Sequence, residues 1–141
     1  MRTHWRSIEP GATALAALNA TAQDLADIEK HYLKMKEGAN NKARQLFNNH
    51  DLLFHRALLK ASHNSFMIAL GDLLSSVMLV AFDATLEEEL SPHNVALQEH
   101  FNVFESVRLR KPEEAREQMR NIVLCSIEKQ LKQANFTEFL I

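Results

Sequence analysis

Apolar residues along this chain recur every three or four positions and nowhere alternate, which is the period of a helix and not of a strand. The pattern returns six times. A first segment, about 3–18, is polar early at Arg2, Arg6 and Glu9 and apolar from Ala12 to Leu18, with Thr13 as the one interruption. Pro10 inside it marks a helix start or a kink. A second, about 22–37, carries Leu25, Ile28, Tyr32 and Met35 on one stripe; Thr21 and Asp24 have capping-box spacing before it, and Gly38 and Asn40-Asn41 are read as its stop. A third, about 42–62, holds Phe47, Phe54, Leu58 and Leu59 and ends at His63-Asn64. A fourth, about 65–83, is apolar nearly all round from Phe66 to Phe82, which predicts a central helix covered on several sides. After an acidic stretch, Asp83 to Leu90, Ser91-Pro92 opens a fifth at about 92–109, with Leu97, Phe101, Phe104 and Val107 inward. Lys111-Pro112 opens a sixth, to about 134, with Ala115, Met119, Ile122, Ser126 and Leu131 near one stripe. The tail 135–141 is expected to pack loosely. The fold class is therefore all-α, an antiparallel bundle of about six helices forming one domain over 1–141.

Composition agrees. Three Gly and three Pro in 141 residues leave few tight turns, so long helices on short loops are favoured. A hydrophobic fraction of 46% excludes a disordered chain. The net charge of −2 excludes a free-standing nucleic-acid binder. The densest basic run, Arg108-Leu-Arg-Lys111, sits at a helix end where cations complement the dipole. A single cysteine, Cys125 among Ile122, Val123 and Ile127, reads as a small core residue and fits a reducing cytoplasm. No apolar run is long enough to span a membrane, and the start lacks the apolar core of a signal peptide. There is no phosphate-binding glycine loop, no nucleophile elbow and no His-Glu-x-x-His, so enzyme chemistry finds little support.

What the apolar pattern does not explain is three polar residues on its inward face. Asp51 and His55 lie four apart and share a face with Phe47 and Leu58. His100 lies among Leu97, Val103 and Phe104. Burying an acid and an imidazole is costly unless they are paired. Two readings stay open on spacing alone: a mutual Asp–His hydrogen bond, or a divalent cation such as zinc, nickel or manganese held by all three. The remaining histidines, His4, His31, His50, His63 and His93, fall near helix ends or on polar faces and read as surface or capping groups. Asn64 reads as a helix stop and cap, and Trp5 and Tyr32 as packing residues.

These residues also resemble a known family. Arg6-Ser-Ile-Glu9-Pro-Gly-Ala12 followed by Leu15-Ala-Ala17 is similar to the first effector-domain helix of GntR-type transcription regulators of the FadR subfamily. Asp51-Leu-Leu-Phe-His55, running on to Asn64, resembles that domain's Asp-x-x-Phe-His…Asn signature. Gln98-Glu-His100 and its sequel, and Pro112-Glu-Glu-Ala115 through Met119, match later segments in order. The resemblance spans nearly the whole chain. It implies a ligand-sensing domain that dimerises and binds a small carboxylate, a sugar acid or hydroxy acid, in metal-binding members over a cation held by one Asp and three His. By position the ligands are Asp51, His55 and His100; the fourth slot, three residues after Met119, is Ile122, which cannot ligate. The cofactor implied is a divalent metal, zinc before nickel or manganese. Effector contacts are expected from Arg6, Asp51, His55 and His100, although the family's Arg slot four residues before the Glu holds Trp5. Such regulators reach DNA through a winged helix-turn-helix domain that these 141 residues do not contain, so the chain is expected to be a fragment or a stand-alone sensing domain. The alternatives are a helical-bundle metalloenzyme activating water at the same three residues and a structural dimerisation module.

Overall fold

The computed structural model describes residues 2–73 and 93–133, with side chains from 8 to 73 and from 94 to 125. Six helices follow in order: α1 (Arg2–Asn19), α2 (Ala22–Asn40), α3 (Arg44–Ala61), α4 (65–73), α5 (His93–Arg108) and α6 (Pro112–Gln133). No strand occurs among the described residues. The all-α bundle expected from the 3.6-residue period is the fold observed. α1 packs on α6, α3 and α5, and α2 packs on α3 and α5. The stripes meet in one core of Ile28, Met35, Phe54, Leu58, Val103, Val107 and Met119, each fully buried, with alanines of α1 lying against them.

Local chemistry sets the helix ends. Thr21 and Asp24 form the capping box: the Asp24 amide donates to Thr21 Oγ1 at 3.1 Å and the Thr21 amide to Asp24 Oδ2 at 2.8 Å. Asn64 caps α4 by accepting from the Met67 amide at 3.1 Å. Pro10 lies inside α1 rather than at its start. The reversals after α2, α3 and α5 are made by Lys42, His63 and Arg110, at φ of 53°, 53° and 59°. None is glycine, so each carries a left-handed conformation that costs about 1–2 kcal/mol. Two have compensating contacts. His63 Nε2 lies 2.6 Å from Asp24 Oδ2, and the Arg110 guanidinium donates to the carbonyls of Ala17 (3.2 Å) and Ala20 (2.6 Å) at the C-terminal end of α1, where helix acceptors lack partners.

Four expectations need correction. Gly38 does not stop α2, which runs on to Asn40. A Cβ at Gly38 would come within 2.7 Å of the Phe47 amide nitrogen, so this glycine serves the close approach of α2 to α3 and not a turn. Glu9, grouped with the polar early half of α1, is buried. α4 is not covered all round among the described residues: Gly71 is buried against Leu59 of α3, but Phe66 is 70% and Leu73 63% exposed. The rest of the predicted fourth segment, 74–83, lies outside the described residues. Cys125 is half-buried and not a full core residue. The Ser91-Pro92 start, the acidic stretch 83–90 and the tail 135–141 lie outside the described residues.

Candidate metal centre

Two helices bring the three inward polar residues together. α3 presents Asp51 and His55 one turn apart, and α5 presents His100, whose ring is buried. His100 Nε2 lies 2.9 Å from Asp51 Oδ1 and 3.2 Å from His55 Nε2, and His55 Nε2 lies 3.1 Å from Asp51 Oδ1. Phe54, fully buried, holds both rings edge-on at centroid distances of 5.8 Å to His55 and 5.0 Å to His100.

The outer nitrogens of both rings are engaged. His100 Nδ1 donates to the carbonyl of Ala96, one turn back on its own helix, at 2.6 Å. His55 Nδ1 donates to Glu9 Oε1 of α1 in a short contact. With both Nδ1 positions used as donors, each ring, when neutral, turns an Nε2 lone pair toward Asp51 Oδ1. Three electron-rich atoms within 3.2 Å repel one another unless a proton or a cation sits among them.

The donor set suits a cation. Ligands about 2.1 Å from a metal stand about 3.0 Å apart when mutually perpendicular and about 3.4 Å apart in a tetrahedron. The three separations here, 2.9, 3.1 and 3.2 Å, fall in and just below that interval. Two imidazoles and one carboxylate are ligand types shared by zinc, nickel and manganese sites. Among the described residues this is the one group of three or more such side chains able to hold a metal together.

Electrostatics lead the same way. Burial favours a neutral Asp51, but the charge of His100 and hydrogen bonds from His100 and His55 outweigh it and hold the carboxyl well below its usual range. Burial favours a neutral His55 as well; the charge of Glu9 and hydrogen bonds to Asp51 and Glu9 overcome that and raise the ring to about 10. Both shifts favour positive charge beside Asp51 and Glu9.

The structure places the expected residues unevenly. Asp51, His55 and His100 meet as the sequence required. The side chains of Arg6 and Trp5 lie outside the described residues. Ile122 is buried in the core cluster, so the fourth family slot is apolar. Tyr32 packs on Phe101 at a centroid distance of 5.6 Å. The residue that sequence reasoning missed is Glu9. Its signal was available: Glu9 lies three and seven positions before Ala12 and Ala16, hence on the face that α1 buries.

Fold and site together define an all-helical domain built around a buried Asp-His-His cluster, and comparison with known proteins gives its family. The FCD domain model matches residues 4–124. The chain is 32% identical over 126 residues to the galactonate operon transcriptional repressor of Escherichia coli K12, covering 89% of this chain and 54% of the repressor. It is 31% identical over 108 residues to the transcriptional repressor NanR of Klebsiella aerogenes, covering 76% of this chain and 41% of NanR. The chain thus spans about half the length of the curated relatives it matches. Among solved structures, E. coli McbR/YncC superposes with a TM-score of 0.83 over 94% of this chain and 63% of that one, at 19% identity. A GntR protein of Streptococcus agalactiae gives 0.74 over 89% and 55%, also at 19% identity; these two likenesses show the fold alone. The chain belongs to the FCD family, the ligand-sensing domain of GntR-type transcriptional regulators. The relatives are regulators and not enzymes, so the metalloenzyme alternative gives way.

Proposed function

We propose that this domain senses a small organic acid over a divalent cation held by Asp51, His55 and His100, with zinc the first candidate and nickel or manganese the next. The observation that carries the reading is the convergence of three donor atoms within 3.2 Å while the outer nitrogens of both imidazoles are tied to protein acceptors. Bound there, the metal supplies Lewis acidity and open coordination positions for a carboxylate. A relative named for a galactonate operon favours a sugar acid or hydroxy acid as that ligand. Arg6, one turn before Pro10 on α1, is proposed to add positive charge toward the acid. The regulator is proposed to act as a cytoplasmic homodimer that reaches DNA through a separate winged-helix domain. Effector binding then biases the spacing of two such domains by differential affinity for their arrangements. Among the described residues no helix is long and apolar enough to cross a membrane.

The test is metal analysis of protein purified without chelators, followed by calorimetric titration with a panel of sugar acids and hydroxy acids, with and without zinc. Bound metal at about one equivalent and zinc-dependent binding of at least one acid are expected. Protein that takes up no metal, and a panel without any binder, would sink the reading and leave a structural module with a satisfied polar core.

A further inference from the structure

We infer that Glu9 is a positioning residue of the metal centre: it fixes which nitrogen His55 offers and sets how tightly the site holds a divalent cation. This rests on the metal reading above. Glu9 is 4% exposed, on the same face of α1 as the fully buried Ala12 and Ala16. A carboxylate there needs a partner, and its Oε1 accepts from His55 Nδ1, 46 residues away on α3. The two histidines are held differently. His100 rests on a neutral carbonyl of its own helix, whereas His55 rests on a charged group delivered by another helix. A carboxylate behind an imidazole locks its tautomer and makes its other nitrogen the stronger donor.

A simpler role for Glu9 is an ion pair that ties α1 to α3. The two roles separate experimentally. Glu9→Gln keeps the shape and a carbonyl to accept from Nδ1; Glu9→Ala keeps neither. Thr13→Val removes a side-chain contact at the same turn of α1, where Thr13 Oγ1 donates to the Glu9 carbonyl at 2.7 Å, and leaves the Glu9 carboxylate alone. Zinc affinity of the full chain, measured by competition with a chromophoric chelator, is expected to fall about 10-fold in Glu9→Gln and about 100-fold in Glu9→Ala, while Thr13→Val stays within about twofold. In the cobalt-loaded protein, proton spectra should show two strongly shifted exchangeable ring N–H signals, one per histidine. Glu9→Ala should lose the His55 signal to solvent exchange and keep that of His100; if Glu9→Ala does not fold, Glu9→Gln affinity decides. Glu9 variants with wild-type affinity and both signals would overturn the inference and leave the metal reading standing, as would equal loss in Thr13→Val. A wild-type chain that takes up neither zinc nor cobalt would end both.

Discussion

Ile122 is where this chain departs from the metal-binding pattern it resembles, and one substitution there tests the departure. The residue is buried in the core with Met119, on the helix that packs against α5. Ile122→His places an imidazole in the slot the family resemblance assigns to a fourth ligand. Without metal the change buries an unpaired polar group and removes core volume, so stability should fall by about 2–4 kcal/mol. With zinc a fourth donor should tighten binding by about tenfold or more, equivalent to about 1.4 kcal/mol per tenfold. Affinity and melting temperature should therefore move in opposite directions relative to wild type. A variant less stable and no tighter in zinc would show that position 122 does not face Asp51, His55 and His100.

At the scale of elements, the packing of helices supports two predictions. The first concerns glycine. Alanine is favoured over glycine within a helix by about 0.5–1 kcal/mol. At Gly11 of α1 the nearest atom to an added Cβ is an Arg116 nitrogen at 4.0 Å, so Gly11→Ala should stabilise by about that amount. At Gly38 the added Cβ would stand 2.7 Å from the Phe47 nitrogen and 3.1 Å from its Cα, both backbone atoms that cannot swing aside. Overpacking then outweighs propensity, and Gly38→Ala should destabilise by about 1–3 kcal/mol in denaturant titration. The second concerns His31 of α2 and His50 of α3, whose Nδ1 atoms lie 3.1 Å apart. That contact needs one Nδ1 bare. Burial lowers the pKa of both rings. His50 and Lys30 lower His31 further, with Lys60 adding to them and Asp27 opposing; Lys34 and Lys30 lower His50, with Glu37 opposing. A base with a depressed folded pKa binds fewer protons folded than unfolded, so its share of stability is intact above the ordinary value of 6.5 and is lost as pH falls below it. Between about pH 7.5 and about pH 5.5 the unfolding midpoint should fall relative to that of His50→Gln, while His55, raised to about 10, adds stability over the same window in both proteins. Parallel pH profiles for the two proteins would place the dependence elsewhere. The sequence marked both histidines as surface groups because each alone sits on a polar face; their pairing exists only once α2 lies on α3.

For the molecule as a whole, the sequence carried what local periodicity encodes and little of what packing between helices decides. Six segments, the Thr21–Asp24 cap and the inward direction of Asp51, His55 and His100 follow from residues a few positions apart. Glu9 meeting His55 joins residues 46 apart, and no local pattern could pair them. The proposed metal would bridge α3 and α5 directly and reach α1 through Glu9, so that one ion ties together three helices. Such a ligand stabilises the native state by about 2.7 kcal/mol at a free concentration of 100 times its Kd, provided that the unfolded chain binds weakly. In a domain of this size, that should raise Tm by on the order of 10 °C. Zinc added to chelator-stripped protein should produce this rise, and fresh chelator should reverse it. His100→Ala removes a ligand from α5 while leaving the Glu9–His55 contact in place, and its Tm should respond much less to zinc. A rise of the same size in His100→Ala would mean that the ion binds elsewhere and that the three helices meet around nothing more than their own hydrogen bonds.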